Sequence, residues 1–250
     1  MNNTKLNIQD TLLQSGKPIL IKELNLLIYQ PKLIEFILNG GEEAIQYFLK
    51  IISLEPSIED LQNFPGIKEL DIIYAITNKK ENIKLKEIFD SFMLLFFKDF
   101  NIQFEIKKEH AVLVFKNKNI NTMPPIMINN LDFLTLKKYI EVILNIDSSE
   151  NKESFNPDSE KAKEIKAKLD RGKALRDKIR NKNHTFLFNA ISSFAIEQKM
   201  SIEYITDNFT LYQFYIQYLR MNSKINHDNG LRAMLAGAKD VKLPDWQGSI

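Results

Sequence analysis

The chain has 250 residues, 44% of them hydrophobic and 26% charged, with a formal net charge of +2. This length suits one large domain or two small ones, and the apolar fraction can bury a sizeable core, so neither general disorder nor a polycationic nucleic-acid coat fits. The absence of cysteine excludes a disulfide scaffold, thiolate zinc, iron–sulfur ligation and a thiol nucleophile.

Residues 1–10 are polar and contain no apolar signal core, so we expect a soluble chain that stays inside the cell at synthesis. Pro18 then precedes Ile19–Leu20–Ile21, which suits the entry to a short edge strand because proline lacks a donor. Pro31 opens a helix that reaches Leu38 and stops at Asn39–Gly40–Gly41. Glu42 and Glu43 start a second helix, with Ala44, Ile45, Phe48, Leu49, Ile51 and Ile52 on its buried face. Pro56 ends it, and Phe64–Pro65–Gly66 forms a turn. Leu70 to Ile76 is apolar but of ambiguous type.

Ile83 to Phe97 predicts a helix with Leu85, Ile88, Phe89, Phe92, Leu95 and Phe96 on one side. It includes the longest apolar run, Phe92–Phe97, far short of the ~20 residues that cross a bilayer, so no membrane partner is expected. The period then changes. Ile102, Phe104 and Ile106 alternate with polar residues, and Val112–Phe115 follows a loop at Lys107–Lys108–Glu109–His110. With Ile126–Ile128 as a third strand, this predicts a small antiparallel hairpin or three-stranded sheet around residues 100–128. Asn129–Asn130 or Asp132 caps a helix from about Leu131 to Leu144, facing inward through Phe133, Leu136, Ile140, Ile143 and Leu144.

A polar stretch from Asp147 to Ser159 marks a boundary. From Lys161 to Lys182 there are ten Lys/Arg against three acids, a local net of +7. Lys166, Arg171, Lys173, Arg176 and Arg180 are the candidate contacts on this basic helix, for an acidic protein surface, nucleic-acid phosphate or simply solvent. The chain is rich in lysine throughout (29, against 5 Arg), so solvated surface charge is the default. Further helices are expected at Phe186–Gln198, Ser201–Ile205, Leu211–Met221 and Leu231–Ala238, the third opened by a Thr210–Gln213 capping box. Gly230 and Gly237 suit helix boundaries or close packing. The expected architecture is mainly α with a small sheet (α+β). An amino-terminal α+β domain spans 1–146, a linker and basic helix 147–184, and a helical domain 185–250.

Three of these segments have helix-turn-helix spacing. The candidate recognition helix, Leu211 to Arg220, however, carries three tyrosines (Tyr212, Tyr215 and Tyr218) and one arginine beside Gln213 and Gln217, where base readers present Arg, Lys, Asn or Gln. Such a helix packs against protein, and its tyrosines, with the lone Trp246, are candidate partner anchors. Trp246 folds back onto the helices or docks into a partner. His110, His184 and His227 fall in three separate loops with no carboxylate at ligand spacing, so no metal site is expected. Neither GxGxxG, GxxxxGK[ST] nor GxSxG occurs, so no cofactor and no catalytic residue is expected.

Ile28-Tyr29-Gln30-Pro31-Lys32-Leu33-Ile34-Glu35, followed by Gly40-Gly41-Glu42-Glu43, resembles a start common in phage tail-gene-cluster proteins of low-GC Gram-positive hosts. Thr210-Leu211-Tyr212-Gln213-Phe214, then Leu231-Arg232-Ala233-Met234-Leu235-Ala236-Gly237-Ala238-Lys239-Asp240, closing on Asp245-Trp246, resembles the ending of phage tail-assembly and tail-chaperone-like proteins. The basic stretch from Asn156-Pro157 is similar to that group as well. The resemblance implies a non-catalytic tail or baseplate assembly protein, working in the host cytoplasm during assembly or retained in the virion tail. Its partners would be other tail or baseplate proteins or further copies of itself. Simple tail chaperones are shorter, which leaves a minor structural component open beside an assembly chaperone. The competing reading is a nucleic-acid-binding protein that uses the basic helix 161–182.

Overall fold

The computed structural model describes residues 10–120, 122–145, 186–238 and 241–245. In chain order these form α1 (Asp10–Ser15), β1 (Ile19–Ile21), β2 (Leu26–Ile28), α2 (Leu33–Leu38), α3 (Gly41–Ile52), α4 (Ile58–Asn63) and α5 (Glu69–Thr77). A 3-10 turn leads into α6 (Ile83–Phe96), β3 (Phe100–Lys107), β4 (His110–Asn117), β5 (Ile126–Ile128) and α7 (Asn130–Ile143). The last three are α8 (Phe186–Gln198), α9 (Ile202–Asn208) and α10 (Leu211–Leu235). The fold is α+β, mainly helical, with antiparallel sheets ordered β1-β2 and β3-β4-β5.

The centre is aromatic. Phe48 of α3 stacks on Phe92 of α6 at 4.8 Å between ring centroids, and Phe36, Phe89 and Phe96 close around the pair. All five rings are fully buried. The α3 positions expected inside are inside: Ala44, Ile45, Phe48, Ile51 and Ile52 are buried, with Leu49 packed against them. At Gly40 the break before α3 is steric, because its φ of +99° is left-handed and a Cβ would meet that of Ala44 at 2.9 Å.

The hairpin is tighter than the four-residue loop expected from the sequence. Lys107 pairs with His110, so the turn is only Lys108–Glu109, both with positive φ. That is the two-residue geometry whose twist matches the strands. β5 pairs with β4 at Leu113↔Ile128, and Asn129 caps α7 by accepting from Leu131 and Asp132 N–H.

Four features depart from expectation. The ambiguous stretch 70–76 is helical as part of α5, held at its start by Asn130, which accepts from Leu70 N–H at 3.0 Å. β2 completes a hairpin with β1 through a turn in which Asn25 takes positive φ. The short helices α1 and α4 form where no helix was expected. Finally, Leu211–Met221 and Leu231–Ala238 are not separate helices: α10 runs unbroken through Asn222–Gly230 to Leu235. Gly230 therefore lies inside the helix, where a Cβ would meet Leu243 and Val241 of the returning chain. Gly237, at φ +93°, follows the helix end.

Residues 186–238 pack onto 10–52 within one continuous apolar core. A few hydrogen bonds fix the alignment of the two parts across this core. Lys32 bridges Thr210, Leu33 N–H donates to Phe209 O at 2.9 Å, and Gln213 Nε2 donates to Gln14 O at 2.7 Å. Glu42, at the start of α3, accepts from Leu187 N–H in the first turn of α8. One acid thus serves two helix amino termini, where negative charge is favoured.

Candidate partner-binding surfaces

Thr210 caps α10, accepting from Gln213 N–H, while Gln213 Oε1 accepts from Thr210 N–H. This reciprocal box holds the first turn in register and sets which side the tyrosines occupy. Tyr212 is 8% exposed and belongs to the core. Tyr215 and Tyr218 are half-buried around Phe214, with Tyr218 stacked on it at 5.8 Å. Phe194 of α8 meets both Phe214 and Phe209 edge-on. The tyrosine helix does pack against protein, and that protein is its own chain. Trp246 lies outside the described residues. So do Lys166, Arg171, Lys173, Arg176 and Arg180, with the whole segment 161–182.

Two histidines are placed differently from expectation. His110 begins β4 and sits 2.9 Å from Asp71 through Nδ1, although the two lie 39 positions apart. Asp71 also accepts from Ala111 N–H at 2.6 Å and from Lys68 N–H in the α5 capping box. It therefore ties α5 to the sheet. His227 lies within α10 beside Asp228, and His184 is outside the described residues. Among the described residues no group of three or more His, Asp or Glu could hold a metal.

A shallow groove of about 370 Å³ runs between α3 and α6, lined by Glu43, Tyr47, Lys84, Glu87 and Ser91 among others. Lys50 and Lys84 reach the Tyr47 ring at 5.5 and 5.8 Å, cation–π distances. Two acids, Glu43 and Glu87, and one lysine, Lys84, share the walls with uncharged residues, so no group of like charges is built to hold an ion. On α6, burial raises the carboxyl of Asp90 above its usual range, partly countered by Lys86.

The surface that sequence reading missed is α4. None of its residues is buried; Ile58 is 78% exposed, Phe64 just beyond its end is 66% exposed, and Leu61 is exposed between them. The spacing of three puts Ile58 and Leu61 on one face of the helix, and Phe64 is exposed where the chain leaves it. Ser57 secures the helix with a capping box to Asp60, whose carboxyl the Ser57 hydrogen bonds hold below its usual range. The signal was present in the Ile58/Leu61 spacing, but Phe64–Pro65–Gly66 draws attention to the turn instead. Phe188 and Ile196 of α8 are also exposed. No helix among the described residues is long and apolar enough to cross a membrane.

No curated protein and no solved structure matches the chain. Residues 180–250, which carry α8 to α10 and the returning tail, match the family model described as the YomV second domain. That family is phage-derived, and the similarity of this segment points to a phage protein.

Proposed function

We propose that the chain is a non-catalytic phage protein of tail or baseplate assembly, a minor structural component or an assembly chaperone that acts through protein–protein contacts. The observation that carries the reading is the exposed apolar face of α4 on a chain whose carboxy-terminal segment is phage-like. Grouped exposed apolar side chains mark interaction surfaces more often than isolated ones do. The partner it suits is another tail or baseplate protein. The work is done in the host cytoplasm, and a structural component would remain in the virion tail.

The test is quantitative mass spectrometry of purified particles, paired with the double substitution Ile58→Lys and Phe64→Lys. Fixed stoichiometry in the particle identifies a structural component. Absence from particles, with tail assembly lost in the variant, identifies a chaperone. Normal particles from a deletion of the gene would remove the assembly reading altogether. The basic segment supports the second reading, since 6–10 phosphate contacts would make affinity fall ~10³–10⁵-fold between 50 and 200 mM salt. We expect weak binding or none to duplex DNA at physiological salt. Tight, steeply salt-dependent binding lost on changing four of these lysines to glutamine would reverse the order.

A further inference from the structure

β3 is an unprotected edge. Proteins blunt edge strands with shortness, proline, bulges or charge, and β3 carries only the last, in Glu105 and Lys107 near its end. β1, β2 and β5 have three residues each, β1 follows Pro18, and β5 follows Pro124–Pro125. β3 has eight residues, no proline, and an uninterrupted register with β4 from Phe100↔Asn117 to Lys107↔His110. On its other side no strand pairs with it among the described residues.

The two-residue turn dictates which backbone groups face that side. Lys107 and His110 flank the turn as a hydrogen-bonded pair, so Glu105, Gln103 and Asn101 also bond to β4. The bond from Lys118 N–H to Asp99 O continues the alternation. The N–H groups of Ile102, Phe104 and Ile106, and the carbonyls of Phe100, Ile102, Phe104 and Ile106, therefore point outward. None of them has a partner among the described residues. The side chains of Phe100, Ile102 and Phe104 are only half-buried on the helix-covered face, and Ile106 is 53% exposed.

We infer that β3 pairs antiparallel with β3 of a second copy about a two-fold axis at Gln103, joining two three-stranded sheets into one. The occupant is identified by the sequence of the edge itself. From Asp99 to Lys107 it is nearly symmetric in polarity about Gln103. In this register Ile102 of one copy stands opposite Phe104 of the other, and Phe100 opposite Ile106. All four belong to the set whose backbone groups point outward. Asn101 meets Glu105, and Lys107 comes level with Asp99, so opposite charges face each other at both ends, beside the ion pair that Lys107 makes with Glu105 of its own strand and the hydrogen bond that Asp99 accepts from Tyr29. Lys98, the cation nearest the other copy's Lys108, is already paired with Glu35. Slipping the register two residues one way sets Glu105 against Asp99, and like charges opposite one another repel. Slipping it the other way gives up the Lys107–Asp99 match and places Phe100 opposite the turn.

The test uses the full chain, whose lack of cysteine makes single-cysteine variants clean. At the axis Gln103 would face its own copy as a non-hydrogen-bonded pair, about 4.5 Å between Cα atoms, within disulfide reach. Mild oxidation of Gln103→Cys should give a covalent dimer. Asn101→Cys should give none, because its copies lie four residues out of register, about 13 Å apart. Light scattering should report a dimer for the unmodified chain, and its loss in Gln103→Lys, an exposed substitution whose folding circular dichroism checks. A chain that is monomeric across the accessible concentration range overturns the inference and leaves the edge to a foreign strand or to solvent. A dimer that survives Gln103→Lys, or that cross-links equally through Asn101→Cys, overturns it as well.

Discussion

The aromatic centre and the seam that carries the last three helices are held by different physics. Around Phe48 and Phe92 the contacts are ring on ring, non-directional, and shared by α2, α3 and α6. At the seam the pairs are single hydrogen bonds between fixed atoms: Leu33 to Phe209, Gln213 to Gln14, Leu187 to Glu42. Apolar burial supplies most of the stability and is indifferent to small shifts. Hydrogen bonds add about 1 kcal/mol each but accept only one alignment. The centre therefore makes the chain compact, and the seam sets how residues 186–238 sit upon it.

Three substitutions would break or sharpen this contrast. Phe92→Ala opens a cavity in the aromatic centre of the core and should cost about 3–5 kcal/mol in urea unfolding. The carboxy-terminal helices should melt in the same transition, because one core spans both parts; a separate second transition would mean that the seam holds alone. Gln213→Ala removes the side-chain half of the α10 capping box, leaving the bond from the backbone N–H of residue 213 to Thr210 Oγ1, and it removes the anchor to Gln14, at about 1–2 kcal/mol in all. Hydrogen exchange should quicken at the start of α10 while α3 and α6 keep their protection, and equal quickening in both regions would dissolve the distinction.

The smallest effect is expected at Tyr29. Its hydroxyl donates to Asp99 at 2.6 Å, and that bond, together with burial and the Asp99 charge, holds the phenol above its usual value. A folded value above the unfolded one means the contribution is complete below pH 10 and is lost as pH rises through the folded value. Tyr29→Phe should cost about 0.5–1 kcal/mol at neutral pH, since the group is partly exposed. It should also flatten the alkaline limb of the stability profile. An unchanged alkaline limb would show that the bond does not couple to folding.

Much of this was legible in the order of residues. The spacing of Phe89, Phe92 and Phe96 marks the buried side of α6, and Phe133, Leu136, Ile140 and Ile143 mark that of α7. Alternation at Ile102–Phe104–Ile106 marks β3, and Thr210 with Gln213 marks the start of α10. Each is a local regularity, with enough positions to separate a period of 3.6 from one of 2. Three-residue strands such as β2 contain too few positions for any period. The tyrosine-rich helix α10 reads as one that packs against protein, but nothing in the spacing of its tyrosines says whose protein it is.

What the sequence determined by itself is therefore the set of amphipathic faces, the hairpin and the caps, because these depend on neighbours within a few positions. Only the tertiary structure decided that α5 is a helix, since its start is held by Asn130, 60 positions away. It likewise decided that His110 has Asp71 beside it and that Tyr212 is buried. It also carried α10 past Asn222–Gly230, where turn-prone residues argue for a break and the chain returning through Val241 and Leu243 packs on Gly230. The physical reason is the same in each case. A contact between distant positions depends on how the chain closes upon itself, and local spacing holds no record of that closure.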